Sequence, residues 1–214
     1  MKELLDTIRK PVPSSLSKQI LHTVLVLTAG IVLGIIAKIL DETASNLLPP
    51  FLEMLDLRNF FSRIGFWMFS GICIAIYSKT PQRAALNVFL FFVGMVSSYY
   101  IYTIHIAGFF PKSYMMIWVV ITILTPLMGA VCWYAKGIHP VSLCLSAVLL
   151  LMMTRQAFSF GLWYFDVSYT LELLLLVLTI AVLYKTPKQI LAVTGVGISL
   201  FFITSPLSLF WGLL

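Results

Sequence analysis

The stretch "ILHTVLVLTAGIVLGIIAKI" occupies residues 20–39 and carries one charged side chain, Lys38, at its end. About 20 apolar residues in a helix match the roughly 30 Å hydrocarbon core of a bilayer. Six further apolar runs follow at roughly 60–77, 84–105, 113–134, 140–158, 167–184 and 190–211. We therefore predict seven membrane spans, or six if the last run, which contains Pro206, folds back or lies flat.

The composition of all 214 residues agrees with a membrane fold. Hydrophobic residues make up 60% of the chain and charged residues 10%, whereas soluble domains have about 45–50% and about 25%. We predict an all-α polytopic bundle in which residues 1–214 form one integral membrane domain with the lipid bilayer as its solvent. The net charge of +6 is spread over short loops, so we expect no nucleic-acid partner.

The distribution of charge predicts the orientation. Lys and Arg collect in the cytoplasmic loops of membrane proteins. With the N-terminus inside, nine of the 14 Lys and Arg residues fall on the cytoplasmic side, and six of the eight acidic residues fall on the opposite side. The sequence therefore predicts a cytoplasmic N-terminus, and we expect the chain in the plasma (cytoplasmic) membrane.

The tripeptide Lys-Thr-Pro occurs twice between apolar runs, at residues 79–81 and again at 185–187. Thr80 and Thr186 suit the N-cap of the following helix, and proline suits its first position. Two interpretations stay open: two independent solutions to one turn, or an internal duplication. A duplication would give a 3+1+3 layout, with halves at about 19–106 and 140–211 joined by a span at 113–134.

Residues 47–62 lie between the first two apolar runs and mix apolar with charged side chains. Phe51, Leu52 and Leu55 alternate there with Glu53 and Asp56. The pattern is typical of an amphipathic segment lying in the membrane interface. We expect such a segment on the outer side.

Polar groups placed within apolar runs are the candidates for a site. Counting inward from the predicted inner ends of the spans puts Arg63, Arg155, Gln156 and Glu172 in the outer third of the membrane, with Glu172 roughly 10 Å deep. Ionisable groups at such depth face the bundle interior, where they pair or mark a pathway. Either Glu172 pairs with an arginine to lock two helices, or the two arginines bind an anionic or zwitterionic ligand.

A polar stripe runs along the third apolar run at helical spacing. Its members are Asn87, Phe91, Gly94, Ser98, Tyr102 and His105. Small and polar residues at this spacing favour close helix packing, as does the GxxxG pair Gly30 and Gly34. The alternative is a cavity wall in which Tyr99, Tyr100 and Tyr102 present hydroxyls near the outer mouth.

These observations give a function hypothesis with a named site. We predict a small transporter or substrate-capturing membrane subunit with an outward-facing polar site for an anionic or zwitterionic small molecule. The predicted substrate-binding residues are Arg63, Arg155, Gln156, Glu172, Tyr102, His105 and Ser98.

The alternative function is a non-transporting interaction protein, such as an immunity, scaffold or assembly factor. It would have a structural buried ion pair and bind another membrane protein or a second copy of the chain. The sequence holds no catalytic motif of the common hydrolase, metalloprotease or phosphate-binding types. We therefore expect no enzyme, metal or cofactor, although an intramembrane lipid-modifying enzyme stays open.

Overall fold

The computed structural model describes residues 2–44, 47–160 and 163–211, and the side chains of residues 5–44, 47–160 and 163–205. Helix accounts for 79% of the chain, which confirms the all-α prediction. In the described residues the helices are α1 (Lys2–Ile8), α2 (Leu16–Glu42), α3 (Pro50–Met54), α4 (Leu57–Ser62), α5 (Ile64–Tyr77), α6 (Pro81–His105), α7 (Lys112–Tyr134), α8 (Pro140–Ala157), α9 (Thr170–Leu183) and α10 (Pro187–Trp211). Two short strands, β1 (Phe158–Phe160) and β2 (Phe165–Val167), pair antiparallel between α8 and α9.

Five of the described helices are long and apolar enough to cross a bilayer: α2, α6, α7, α8 and most of α10. Two further apolar helices, α5 and α9, have 14 residues each. Together the seven follow the order of the seven predicted apolar runs. The chain is thus a helical protein with several segments fit for a membrane, while the number of spans, the orientation and the repeat stay predictions.

The chain divides into two compact units. The first unit, Pro11–Trp133, contains α2 to α7. The second unit combines Met1–Lys10 with Tyr134–Leu214 and contains α1, α8 to α10 and the β1–β2 hairpin. The long helix at 113–134, predicted to link two halves, belongs to the first unit up to Trp133.

The two Lys-Thr-Pro turns have the same local structure. α6 begins at Pro81, and the backbone N–H of Arg83 donates to Thr80 Oγ1 at 3.2 Å. α10 begins at Pro187, and the N–H of Gln189 donates to Thr186 Oγ1, also at 3.2 Å. The predicted N-caps are confirmed, since each hydroxyl satisfies one of the backbone donors that a helix start leaves without a partner.

Glycines bring α2 and α6 into close contact within the first unit. A Cβ on Gly30 would overlap the carbonyl oxygen of Phe91, and a Cβ on Gly34 would overlap Met95 O and Ser98 Oγ. From the other side, a Cβ on Gly94 would lie 2.8 Å from Leu27 O. Ser98 Oγ donates across the contact to Ile31 O at 3.0 Å. The polar stripe on α6 is therefore a packing surface from Asn87 to Ser98, as its spacing favours.

Residues 47–62 differ from the single amphipathic helix that their pattern suggests. They form α3 and α4, separated at Asp56, whose φ of 51° lies in the left-handed region. Asp is one of the few residues that adopt this conformation readily. The break ends α3, and a single extended residue, Arg63, then separates α4 from α5.

The hairpin β1–β2 lies between the fifth and sixth predicted apolar runs, 140–158 and 167–184. Phe158 pairs with Val167 and Phe160 with Phe165. Because β2 extends to Val167, α9 begins only at Thr170, three residues after the start of the sixth predicted run.

Candidate functional site

A buried lysine lies at the end of α2 in the first unit. The side chain of Lys38 is 1% exposed, and its Nζ lies 3.0 Å from Asp41 Oδ2 and also pairs with Glu42 Oε1. The three residues share one helix face, since partners three and four positions apart are neighbours. Tyr99 of α6 donates its hydroxyl to the same Asp41 oxygen at 3.0 Å.

Aromatic rings cover the remaining side of the Lys38 ammonium group. Its Nζ lies 5.1 Å from the ring centre of Tyr99 and 4.8 Å from that of Phe109. These distances are within the range of a cation–π interaction, which strengthens as water is excluded. The lysine is held by two carboxylates and two rings and is therefore a fixed part of the structure.

A cavity of about 200 Å³ lies beside this cluster, within the first unit. Its lining includes three charged residues, Lys38, Asp41 and Arg58. The rest of the lining is mainly aromatic and apolar, with Trp67, Tyr99, Tyr100, Phe109, Tyr114, Trp118, Met95 and Val96 among its residues. We call it the aromatic cavity.

The tryptophans give the aromatic cavity a fixed wall. Trp67 is 2% exposed, and its Nε1–H donates to Phe61 O at 2.8 Å. Its ring meets that of Trp118 edge to face, with centroids 6.4 Å apart. Edge-to-face contact is a favoured arrangement of aromatic pairs, so the apolar side is formed before any ligand arrives.

A second cavity, of about 260 Å³, shares Asp41, Arg58 and Ser62 with the aromatic cavity. Its other walls come from residues 48–59 and include Glu53, Asp56 and Asn59. We call it the polar vestibule. The two cavities together place a polar compartment next to an apolar one, with Arg58 at their common wall.

Two polar groups in the aromatic cavity have no partner among the described residues. The hydroxyl of Tyr100 is buried and makes no hydrogen bond. Arg58 is exposed, and within the described chain no hydrogen bond or ion pair engages its guanidinium. A buried hydroxyl without a partner is unfavourable by about 1–3 kcal/mol, which a bound ligand would relieve.

The predicted site residues of the first unit lie at several places. Arg63 joins α4 to α5, and its Nη1 lies 3.4 Å from Asp56 Oδ2. Ser98 is buried in the α2–α6 contact. Tyr102 is half-buried and His105 exposed, both at the end of α6. None of these four residues lines the aromatic cavity or the polar vestibule.

The predicted site residues of the second unit lie near the hairpin. Arg155 is exposed in the last turn of α8, and its Nη2 donates to Thr204 O at 3.0 Å. Gln156 beside it is half-buried. Glu172 is 0% exposed but lies in the first turn of α9, not seven residues into a helix as the counting placed it. That the seven residues share one polar interior stays a prediction.

Sequence reasoning did not select Lys38, Asp41 and Arg58, which it assigned to the outer ends of the spans. A signal was available, because Lys38, Asp41 and Glu42 have the spacing of helical ion pairs. Tyr99 and Tyr100 were anticipated as a cavity wall near the outer mouth. What the sequence could not indicate is the contact of Lys38 with Phe109, which lies far away along the chain.

A basic cluster in the second unit surrounds the turns after α7 and α9. Lys136 Nζ donates to Val182 O at 2.7 Å, and Lys185 Nζ donates to Gly137 O at 2.6 Å. Burial lowers the pKa of both lysines, and the charge of Arg9 lowers each further. Lys136 binds a carbonyl in the last turn of α9, where the helix dipole favours positive charge, and Lys185 binds a carbonyl in the turn that precedes α8.

Comparison with protein-family models, curated proteins and solved structures finds no match to this chain. The function is therefore inferred from the chemistry of the site.

Proposed function

We propose that this chain is a small membrane transporter or substrate-capturing subunit, and that it binds a molecule with an apolar or aromatic body and an anionic group. The aromatic cavity takes the body, and the polar vestibule takes the polar end. The observation that carries the proposal is the aromatic cavity with a buried, neutralised Lys38 and an unengaged Arg58 on its wall.

The charges at the site favour an anionic or zwitterionic ligand. Lys38 faces two carboxylates, Asp41 and Glu42, so its single positive charge is more than compensated and Lys38 does not attract an anion. Arg58 then supplies a cation whose planar fork suits a carboxylate or phosphate. Asp41 and Glu53 on the vestibule wall can receive an ammonium group, which explains why a zwitterion also fits.

The size of the aromatic cavity limits the body of the ligand. A cavity of about 150 Å³ lined by apolar residues binds benzene. The aromatic cavity, at about 200 Å³, accommodates one ring with a short substituent or an apolar chain of similar volume. Small aromatic carboxylates and aromatic amino acids are therefore the first compounds to test.

Binding is tested on the purified chain by thermal shift, because a ligand that binds the native state raises the melting temperature. The panel contains aromatic carboxylates, aromatic amino acids and the amide of each, which lacks the carboxylate charge. Quenching of tryptophan fluorescence provides a second signal, since Trp67 and Trp118 line the cavity. We expect the acids to act and the amides to fail.

Variants locate the binding site. Arg58→Gln removes a hydrogen bond to a charged group, worth about 1.5–3 kcal/mol, so the affinity falls about tenfold or more. Tyr100→Phe removes a neutral donor and weakens binding less. Arg155→Gln is the matched control, an exposed arginine in the other unit. If Arg155→Gln loses binding and Arg58→Gln keeps it, the ligand binds at the residues predicted from the sequence, and the aromatic cavity is refuted as the binding site.

Transport is separated from capture and from the interaction function by reconstitution. A transporter loaded into vesicles accumulates the radiolabelled ligand, and Arg58→Gln abolishes this uptake. A capturing subunit binds the same ligand without uptake. An interaction protein gives no thermal shift with any compound, while its purification recovers a membrane-protein partner in fixed ratio.

A further inference from the structure

A third cavity, of about 220 Å³, lies at the opposite end of the first unit. It is formed by the start of α2, the turn between α5 and α6, and the first turns of α6. Its walls include Lys18, His22, Lys79 and Arg83, together with the buried polar residues Ser78 and Asn87. We call it the basic crevice.

The basic crevice has three permanent positive charges and no acidic residue in its lining. Within the part of the chain that the structure describes, no hydrogen bond or ion pair engages the side chains of Lys18, Lys79 or Arg83. Lys38, whose charge is buried in the same unit, has by contrast two carboxylates beside it. The crevice thus concentrates positive charge that the protein itself does not neutralise.

Buried polar groups fix the floor of the basic crevice. Asn87 Oδ1 accepts from Thr23 Oγ1 at 2.8 Å, and its Nδ2 lies 3.0 Å from His22 Nδ1 and 3.2 Å from Ser78 Oγ. Because an amide nitrogen only donates, His22 Nδ1 accepts, and the ring proton lies on Nε2. Asn87 therefore fixes the His22 ring in the wall of the crevice.

The chain also closes over the crevice from the side of the N-terminus. The N–H of Val12 donates to Lys79 O at 2.9 Å, and Gln19 Nε2 donates to Ser14 O at 2.8 Å. The first bond holds the segment before α2 against the α5–α6 turn, and the second ties that segment to the first turn of α2. Elements distant in sequence in this way bring Lys18, Lys79 and Arg83 to one cavity, whose surface is otherwise mainly apolar.

We propose that the basic crevice binds the phosphate group of an anionic phospholipid. Lys18, Lys79 and Arg83 contact the phosphate oxygens. The acyl chains extend from the crevice into the hydrocarbon that surrounds the apolar helices.

The surroundings favour a lipid over free phosphate. The crevice lies at the ends of three apolar helices, where the headgroups of a bilayer meet a membrane protein, and it is on the side predicted to be cytoplasmic. Basic pockets between helices on that side recognise anionic headgroups. Exposed Tyr77 at the end of α5 is a residue type that anchors helices at this level.

The test compares lipids on the purified full-length chain in detergent. Dioleoylphosphatidylglycerol, dioleoylphosphatidylcholine and inorganic phosphate are titrated separately, and lipid binding is followed by native mass spectrometry and by melting temperature. We expect phosphatidylglycerol to bind and stabilise, while phosphatidylcholine and inorganic phosphate have little effect. Equal binding of the two lipids overturns the proposal, and an equal shift with inorganic phosphate reassigns the crevice to a soluble anion.

A charge-matched pair of double variants tests the location. The double variant Lys79→Gln with Arg83→Gln removes two positive charges from the crevice. Each charge lost near a membrane surface lowers the affinity for an anionic lipid about fivefold. Lys10→Gln with Lys188→Gln removes the same charge from exposed sites outside the crevice, on the same predicted side. We expect the first pair to lose about 25-fold in phosphatidylglycerol affinity and the second to keep the wild-type value.

Equal losses in both pairs would show diffuse surface attraction and overturn the proposal. If the first pair does not fold, Lys79→Gln alone replaces it, since this side chain is exposed and engages no other described residue. An unchanged affinity in Lys79→Gln likewise overturns the proposal.

Discussion

Replacing Gly30 by alanine tests the close contact between α2 and α6. The added methyl would overlap the carbonyl oxygen of Phe91, a backbone atom that cannot rotate away. Overpacking is unfavourable by about 1–3 kcal/mol, and overlap with a backbone atom places Gly30→Ala in the upper part of that range, at about 2–3 kcal/mol. Alanine gains up to about 1 kcal/mol over glycine within a helix, so a net loss of about 1–2 kcal/mol remains.

The melting temperature measures this loss. For a chain of this size, 1 kcal/mol corresponds to about 2–4 °C, so Gly30→Ala lowers the melting temperature by about 2–8 °C. The assay heats the detergent-solubilised chain with a thiol-reactive dye, since the partly buried Cys73 and Cys132 become accessible on unfolding.

Gly71→Ala is the matched control in the same unit. A Cβ at Gly71 meets Phe92 Cε2 at 3.5 Å and Val88 Cγ1 at 3.7 Å, which are ordinary contacts. This variant keeps the gain in helix propensity without the overlap and melts at or above the wild-type temperature. Should Gly30→Ala melt at the same temperature as Gly71→Ala, the tight packing of α2 on α6 would be refuted.

Three further predictions concern helix caps, the buried charge cluster and pH. Thr80→Ala and Thr186→Ala each remove one N-cap hydrogen bond and lower the free energy of unfolding by about 1 kcal/mol. Serine at either position keeps the hydroxyl and therefore the wild-type stability. An unchanged melting temperature in both alanine variants would contradict this prediction. The double variant Asp41→Asn with Glu42→Gln leaves the Lys38 ammonium buried without a counterion and destabilises the chain by about 3–5 kcal/mol. Lys38→Met is less destabilising, because the two carboxylates it leaves without a partner are already partly hydrated. Chemical denaturation measures both, and a lower stability of Lys38→Met than of the double variant would rule this out. Burial and Arg9 lower the pKa of Lys185 in the folded chain, so its protonated form is less favourable there than in the unfolded chain. Protonated Lys185 therefore destabilises the folded chain fully below the lowered pKa, and this destabilisation disappears as pH rises to the ordinary value of 10.5. We expect the melting temperature of wild type to increase relative to that of Lys185→Met over this pH range. A difference in melting temperature that stays constant with pH would disprove the assignment.

Local features of this fold were predictable from the sequence because neighbouring residues determine them. Thr80 and Thr186 cap their helices with donors three residues away. Gly30 and Gly34 mark a helix face by their spacing alone. The seven apolar helices follow the order of the apolar runs, because burial in lipid depends on composition along one segment.

Depths along the helices were not predictable by counting, because two helices begin later than their apolar runs. Asp56 adopts a left-handed conformation and Arg63 an extended one, so the segment from Arg58 to Tyr77 is not one helix. Arg63 then lies at a junction, beside Asp56. The hairpin delays the start of the helix in the apolar run 167–184, so Glu172 lies in the first turn of α9.

The aromatic cavity depends on contacts between distant parts of the chain. Lys38 comes from α2, Arg58 from α4, Trp67 from α5, Tyr100 from α6 and Trp118 from α7. No local pattern indicates that these five residues surround one space. The charge on Lys38 could be read as an interfacial anchor until its burial by Tyr99 and Phe109 is known.

The length of α5 has a consequence for the membrane around the first unit. Its 14 residues extend only about 21 Å, against a hydrocarbon thickness of about 30 Å. A bilayer next to a short apolar helix thins to match it. Thinning at the α4 end of α5 would bring headgroups and water toward Arg58, so an amphiphile dissolved in that leaflet would reach the cavity laterally, without first leaving the bilayer.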